Sequence, residues 1–276
     1  MSTALLITLG VIVIFGAYFS HRYAWWKKTV SYKSPRILMY HMVREPIKGA
    51  KFNSLRVSPS VFEEQIRFLS EGGWHFFTMA ELISQSASLP EKSIAVTFDD
   101  GYEDNFINAL PILKKYDAKA TIYLVVDRHN REWSSKRKKK NNNNELMLEP
   151  KLQDRQVKEL IKSGLIEIGS HTLTHDNLPM LSKEQKEQEI IASREQLREL
   201  FNIECQSFCY PFGLYDEVDL ELVEQTGYSN ATTVEKGIND LSLIGPYLLK
   251  RITISGKDNF YAFKLKLKTG KRGIKK

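Results

Sequence analysis

The sequence predicts an α/β protein, a distorted (β/α)7 barrel preceded by one N-terminal transmembrane helix. Two observations predict the barrel. Short apolar strand patterns alternate with helix patterns along the chain, and polar residues follow several of these strands directly. A third observation, an uncharged and largely apolar run over the first twenty residues, predicts the transmembrane helix. A chain of 276 residues has room for this helix and one sizeable core.

The alternating patterns define seven strands and seven helices in the barrel region. The strands are expected at Arg36–Tyr40, Ser93–Phe98, Ala120–Val126, Ile166–Ser170, Ser207–Tyr210, Tyr228–Thr233 and Lys250–Ile254. The helices are expected at Pro59–Glu71, Met79–Ser84, Asn105–Tyr116, Leu152–Lys162, Ser182–Phe201, Asp216–Gln225 and Asn259–Lys266. Because short βα alternation implies a parallel sheet, catalytic residues are expected at the C-terminal ends of the strands.

Residues 1–30 are interpreted as a membrane anchor with an interface belt. Met1–Ser20 carries no charge, and aromatic and basic residues surround its end (Tyr18, Arg22, Tyr23, Trp25, Trp26, Lys27 and Lys28). The basic start and small-x-small exit of a cleaved signal peptide are not evident. We therefore expect an uncleaved single-pass anchor, then a barrel domain at residues 31–262 and a basic tail at residues 263–276.

The net charge of +7 is concentrated in two segments. A polar insert at residues 127–148 contains the basic run Lys136–Lys140 and four asparagines, and the tail from Lys264 carries seven basic residues and no acid. An anionic membrane surface or an acidic glycan would suit these charges. Nucleic acid is not expected as a partner, because no stacking aromatics interleave the basic run. Cys205 and Cys209 indicate no disulfide framework.

Two adjacent acids, Asp99 and Asp100, follow the strand pattern Ser93–Phe98 and precede Gly101. Two like charges side by side cost free energy unless a positive group lies between them or one binds a proton. His171 and His175 follow the pattern Ile166–Ser170. Two imidazoles and one carboxylate are a common open ligand set for a catalytic divalent metal, whereas a surface histidine pair would be the plain alternative.

A third motif, Ser207–Gly213, is a short strand pattern that ends in proline and glycine. In this order the three motifs resemble those of the polysaccharide deacetylase family, carbohydrate esterase family four. Thr97–Gly101 matches Thr-Phe-Asp-Asp-Gly, His171–His175 matches His-(Ser/Thr)-x-x-His, and the third motif matches in part. The resemblance covers Ile37–Ile254. It implies an irregular (β/α) barrel that hydrolyses N-acetyl groups of N-acetylhexosamine units in a bacterial cell-envelope or exopolysaccharide glycan.

The resemblance also implies a role for each matching residue. Asp100, His171 and His175 would bind the divalent metal, with zinc expected and nickel or cobalt as alternatives. Asp99 would be the general base, and the backbone N–H of Tyr210 would be an oxyanion donor. Hydrolysis of the amide also requires a proton for the departing amine.

Two positions depart from the common family pattern. The C-terminal histidine of most members is missing from Leu248–Ile254, whereas His41 ends the first strand pattern. That placement resembles the circularly permuted poly-N-acetylglucosamine deacetylases and implies that His41 is the general acid. Cys209 stands where many members have arginine. We hypothesise that Arg251 supplies the guanidinium to Asp99 from a neighbouring strand, the alternative being an ordinary surface arginine.

Two other functions stay open, a catalytically silent glycan-binding member and a non-carbohydrate amidohydrolase on the same fold. The presence of all four motif acids and histidines favours an enzyme over a silent member. The side of the membrane is also open. Basic residues that follow the anchor favour a cytoplasmic domain, whereas the resemblance favours a cell-envelope enzyme that faces outward from the cytoplasmic membrane, and we adopt the second expectation.

Overall fold

Seven parallel strands form the closed barrel that the sequence predicts. The computed structural model describes residues 3–129 and 145–273. Its strands are β1 (Arg36–Tyr40), β2 (Met42–Val43), β3 (Arg56–Val57), β4 (His75–Phe77), β5 (Ser93–Phe98), β6 (Ala120–Leu124), β7 (Ile166–Ser170), β8 (Ser207–Cys209), β9 (Asn230–Lys236) and β10 (Leu249–Thr253). The barrel runs in the order β1, β10, β9, β8, β7, β6, β5, and β5 pairs back with β1.

Nine α-helices lie in the described part of the chain. They are α1 (Thr3–Tyr23), α2 (Pro59–Glu71), α3 (Met79–Ser84), α4 (Leu110–Lys115, preceded by a π-helical turn at Asn105–Ala109), α5 (Glu145–Leu148), α6 (Asp154–Lys162), α7 (Lys183–Phe201), α8 (Glu217–Gln225) and α9 (Phe260–Thr269). The predicted elements are present, with ends that differ by at most three residues. Ser182 caps α7 and forms the expected capping box with Gln185.

Three short strands were not predicted, because two or three residues are too few to show a periodicity. β2 and β3 form a separate small sheet. β4 pairs with Ser93–Ala95, the first half of β5, while β6 pairs with the second half, Val96–Phe98. The barrel is therefore irregular at β5, where different halves of one strand pair with β4 and β6.

The N-terminal end of the barrel is closed by polar contacts with α3. The Met79 N–H donates to Thr121 Oγ1 (2.8 Å), and the Ala80 N–H donates to the Glu167 carboxylate (3.1 Å). Glu167 also accepts hydrogen bonds from the hydroxyls of Thr121 and Ser207, so its part-buried charge is well satisfied. The opposite, C-terminal end of the strands is left for the functional residues.

The N-terminal helix α1 contains no buried residue. A helix of 21 residues is about 31 Å long, close to the thickness of the hydrocarbon core of a bilayer. Among the described residues it is the only helix with the length and composition of a membrane span, features that a signal sequence shares.

Of the two predicted runs of basic residues, one lies outside the described residues and the other begins inside a helix of the folded domain. The run Lys136–Lys140 and the four asparagines lie outside the described residues. The predicted boundary between barrel and tail, at residues 262 and 263, falls inside helix α9. Phe263, Leu265 and Leu267 are buried there, so α9 belongs to the folded domain.

Candidate active site

The two adjacent acids lie in a sharp turn at the C-terminal end of β5. Asp100 has a left-handed backbone (φ 77°), as does Gly101 (φ 70°). A Cβ atom on Gly101 would lie 2.4 Å from Leu124 Cδ1, so this turn requires glycine. The strained conformation of Asp100 is of a kind that occurs at functional sites.

The three predicted metal ligands come together in the structure. Asp100 Oδ1 lies 3.4 Å from His171 Nε2 and 3.5 Å from His175 Nε2. Ligand atoms about 2.0–2.1 Å from a tetrahedrally coordinated zinc ion are ~3.3 Å apart, so the spacing fits such an ion. All three residues are buried, and one carboxylate with two imidazoles is a donor set that suits zinc and similar divalent cations.

A hydrogen bond orients the His171 imidazole, and burial keeps the His175 imidazole neutral, both of which suit metal binding. His171 Nδ1 lies 2.7 Å from the Cys209 carbonyl oxygen, which fixes Nδ1 as the donor and leaves Nε2 facing Asp100. Burial, together with the charge of His171, lowers the pKa of His175 to about 3, so that this ring stays neutral.

The backbone loop that carries His175 is fixed by two side chains that the sequence did not single out. The His175 N–H donates to Thr172 Oγ1 (3.0 Å). Thr174 donates both its backbone N–H (2.9 Å) and its hydroxyl (2.5 Å) to the carboxylate of Glu189, a buried residue of α7. Periodicity placed Glu189 only in a helix among other charged residues, so no sequence signal set it apart.

Arg251 contacts Asp99 from the neighbouring part of the barrel, as hypothesised. Its Nη1 and Nη2 atoms lie 2.6 Å and 2.8 Å from the two oxygens of Asp99. Its other donors reach the Thr233 carbonyl (2.8 Å), Thr97 Oγ1 (3.1 Å) and Cys209 Sγ (3.2 Å). All five N–H groups of the guanidinium thus have acceptors. Arg251 is fully buried, which excludes the alternative of a surface arginine.

This ion pair explains how two adjacent carboxylates are tolerated. Burial alone would raise the pKa of Asp99, but the charge and hydrogen bonds of Arg251 outweigh burial and hold that pKa below its ordinary value. Close contacts with the imidazoles of His171 and His175 likewise hold the pKa of Asp100 low against burial. Both acids are therefore ionised at neutral pH.

His41 lies at the end of β1, on the same side of the barrel as Asp99. Its Nε2 is 4.0 Å from Asp99 Oδ2, and 18% of its side chain is exposed to solvent. The Asn105 side chain donates a hydrogen bond to the His41 carbonyl (2.9 Å) and so anchors its backbone. The imidazole thus lies at the C-terminal opening of the barrel, within reach of a substrate bound beside the two acids.

The third motif contributes differently from expectation. The Tyr210 N–H donates to the Thr232 carbonyl (3.2 Å), so it is engaged in the sheet and this geometry does not support its predicted role as an oxyanion donor. Phe212 has a left-handed backbone (φ 58°), and its ring centroid lies 4.6 Å from that of His175. The motif therefore positions His171 and His175 through the Cys209 carbonyl and the Phe212 ring.

The C-terminal end of the predicted insert borders this site. Arg56 donates to the carboxylates of Glu145 (2.7 Å) and Glu149 (2.5 Å), and Arg44, three residues after His41, also pairs with Glu149. The Leu152 N–H donates to the Gly101 carbonyl (2.9 Å). These contacts tie the segment after the insert to the turn that carries the two acids.

A closed parallel barrel with an Asp-His-His cluster and an arginine-paired acid at its strand ends has the architecture of a hydrolase with a candidate metal site. Comparison with known proteins gives the family. The polysaccharide deacetylase family profile matches residues 86–231. Bacillus subtilis YxkH is 33% identical over 235 residues, which cover 84% of this chain and 75% of YxkH. The chain belongs to the polysaccharide deacetylase family.

Two further relatives resemble the chain over most of its length. A Staphylococcus aureus poly-β-1,6-N-acetyl-D-glucosamine N-deacetylase is 28% identical over 260 residues, 83% of this chain and 82% of that protein. The Streptococcus pyogenes deacetylase PplD, solved in complex with acetate, superposes with a TM-score of 0.68 at 27% identity and covers 83% of this chain and 94% of that one.

Proposed function

We propose that the protein is a metal-dependent N-deacetylase of N-acetylhexosamine units in a bacterial cell-envelope or exopolysaccharide glycan. The observation that carries this proposal is the buried cluster of Asp100, His171 and His175, with ligand spacing that suits a divalent cation, beside the ion pair of Asp99 and Arg251. Zinc is the first candidate for the metal, with nickel and cobalt as alternatives.

A bound divalent cation would supply Lewis-acid chemistry at this site, by acidifying water and polarising the acetyl carbonyl. The chain's own residues move the protons. Asp99, kept ionised by Arg251, accepts a proton from the attacking water. Protonated His41 then donates a proton to the departing amine as the amide C–N bond breaks. The products are acetate and a free amino group on the sugar.

The oxyanion donor needs a group other than the Tyr210 N–H, which is bonded to Thr232. Pro211 has no N–H, so the next backbone donor in this turn belongs to Phe212. We propose that N–H as the candidate oxyanion donor beside the metal, because it is the next donor in the turn that follows β8.

The glycan part of the proposal is supported by the relatives. The Staphylococcus aureus relative is named for action on poly-β-1,6-N-acetyl-D-glucosamine, and the Streptococcus pyogenes deacetylase structure contains acetate, the product expected here. A silent glycan-binding member would have no use for a buried metal-ligand cluster and a fully paired catalytic acid. A membrane anchor formed by α1 would place the enzyme at the cytoplasmic membrane, facing outward onto exported glycan.

Acetate release tests the proposal directly. The full chain is stripped of metal, reloaded with zinc, nickel or cobalt, and incubated with N-acetylglucosamine oligomers of β-1,6 and β-1,4 linkage and with small N-acetyl amides. We expect metal-dependent release from at least one oligomer series. Oligomer binding without release would identify a silent member, and release from small amides alone would identify a non-carbohydrate amidohydrolase.

A further inference from the structure

A basic pocket lies between the end of the barrel and the C-terminal helix α9. It encloses about 240 Å³ and is lined by five basic side chains and one carboxylate (Lys236, Lys257, Lys266, Lys271, Arg272 and Asp258). The carboxylate of Asp258 is already paired with Lys266 and Arg272. Lys236, Lys257 and Lys271 are exposed. The pocket therefore presents a surplus of positive charge to whatever enters it.

Direct contacts place this pocket next to the end of the apolar helix α1. The ring of Tyr261, in the first turn of α9, lies 5.9 Å from Phe19 and 5.2 Å from Tyr23, and Asn259 donates to the Tyr23 hydroxyl (3.2 Å). Gly273, which follows the pocket residue Arg272, packs so closely on the helix end that a Cβ would lie 2.7 Å from the Arg22 carbonyl oxygen.

The segment that follows α1 is also tied to the C-terminal region. Lys27 Nζ donates to the Gly273 carbonyl (3.2 Å), Lys268 Nζ to the Trp25 carbonyl (3.4 Å), and the Val30 N–H to the Lys268 carbonyl (2.9 Å). If α1 crosses a bilayer, its Tyr23 end lies at the headgroup level, since its length matches the hydrocarbon core. The pocket then lies near this level, as do the exposed side chains of Trp25 and Trp26, which follow α1.

We propose that this pocket binds the phosphate of an anionic lipid headgroup and so docks the barrel on the membrane surface beside its anchor. Basic side chains near a bilayer attract anionic lipids. A headgroup fits better than a soluble anion, because residues next to the pocket lining, Asn259, Tyr261 and Gly273, contact the end of the apolar helix α1.

This docking would also orient the candidate active site. Lys236 ends β9 and Thr253 ends β10, so the pocket lies at the C-terminal end of the barrel, the end that carries Asp99 and Asp100. A lipid held there would keep the mouth of the barrel close to the membrane surface. The inference rests on the proposed membrane anchor, whereas acetate release from soluble oligomers does not depend on it.

Lipid binding by the full chain in a zwitterionic detergent tests the proposal. Native mass spectrometry would follow titrations with dioctanoyl phosphatidylglycerol, dioctanoyl phosphatidylcholine and inorganic phosphate. We expect saturable binding of phosphatidylglycerol that is at least about tenfold tighter than binding of the other two. Equal binding of phosphatidylcholine, or equally tight binding of inorganic phosphate, would overturn the proposal.

A double charge-reversal variant tests whether phosphatidylglycerol binds in this pocket. Lys257→Glu/Lys271→Glu changes two exposed side chains of the pocket, and we expect it to weaken phosphatidylglycerol binding by about tenfold or more. Lys158→Glu/Lys183→Glu makes the same change of net charge at exposed positions outside the pocket and should bind like the wild type. Both variants should release acetate from soluble oligomers at the wild-type rate. Equal weakening in the two variants would show a general charge effect and refute the site.

Discussion

Replacing Arg251 by methionine tests the ion pair at the centre of the site. The substitution keeps a long side chain but removes the two hydrogen bonds and the positive charge that Asp99 receives. Both residues are buried, so Asp99 would be left as an uncompensated carboxylate inside the barrel. Breaking a buried pair in this way costs about 3–5 kcal/mol, and we expect that loss in the free energy of unfolding at pH 8.

The pH dependence gives the sign of the effect. In the wild type the folded pKa of Asp99 lies below its ordinary value, so ionised Asp99 stabilises the fold above about pH 4 and this contribution is lost only as the pH falls through the folded pKa. Without Arg251, burial dominates and raises the pKa of Asp99 in the folded state. The stability of the variant therefore falls as the pH rises through that raised pKa. The penalty should therefore be smaller at pH 5 than at pH 8.

Urea unfolding of the metal-free full chain in detergent, followed by tryptophan fluorescence at both pH values, measures this penalty. The double variant Arg251→Met/Asp99→Asn removes the stranded charge and should recover most of the lost stability. A loss below about 1 kcal/mol at pH 8, or a penalty that is the same at both pH values, would refute the role of Arg251 as the partner of a buried ionised Asp99.

Three further predictions concern residues around the site. His41→Ala should retain the metal but lower the turnover of oligomers by about 10²-fold or more, the scale of a lost general acid; near-normal turnover would remove His41 from that role. Glu189→Gln should weaken metal binding by about tenfold, because it replaces one of the two carboxylate oxygens that accept from Thr174 with an NH2 donor and removes the charge; metal titration should show no such change in the matched surface variant Glu195→Gln. Burial outweighs the hydrogen bond from the Val43 N–H and raises the pKa of Asp104 to about 7, so the folded protein keeps a proton there that the unfolded chain loses near pH 4. Wild-type stability should fall by at most about 4 kcal/mol as the pH rises from 4 to 7, and Asp104→Asn should flatten that decline in urea titrations. An unchanged pH profile would count against the buried, protonated Asp104.

The barrel and the clustering of Asp100, His171 and His175 could be predicted from the sequence because their signals are local. The strand pattern followed by Asp99 and Asp100 predicts both the strand and the fact that the acids lie at its C-terminal end. The contact between Arg251 and Asp99 was harder to predict. It depends on closure of the barrel, in which β1 pairs with both β10 and β5. That closure converts a residue 152 positions away into a direct partner of Asp99.

The parts that could not be predicted depend on backbone geometry. The left-handed conformations of Asp100, Thr172, His175 and Phe212 leave no periodic trace in the sequence. The Cys209 carbonyl is a main-chain atom, so residue identity does not reveal its hydrogen bond to His171. The bond of the Tyr210 N–H to Thr232 could not be predicted for the same reason, because it follows from the pairing of β8 with β9.

Metal content and acetate release, measured on the same samples, test the central claim most directly. We expect the wild type to bind about one divalent cation per chain and to release acetate, His171→Ala to lose both properties, and Asp99→Asn to keep the metal but lose about 10²-fold or more in turnover. Full activity of metal-stripped wild type, or normal metal content and turnover in His171→Ala, would contradict the assignment of this cluster as the catalytic metal site.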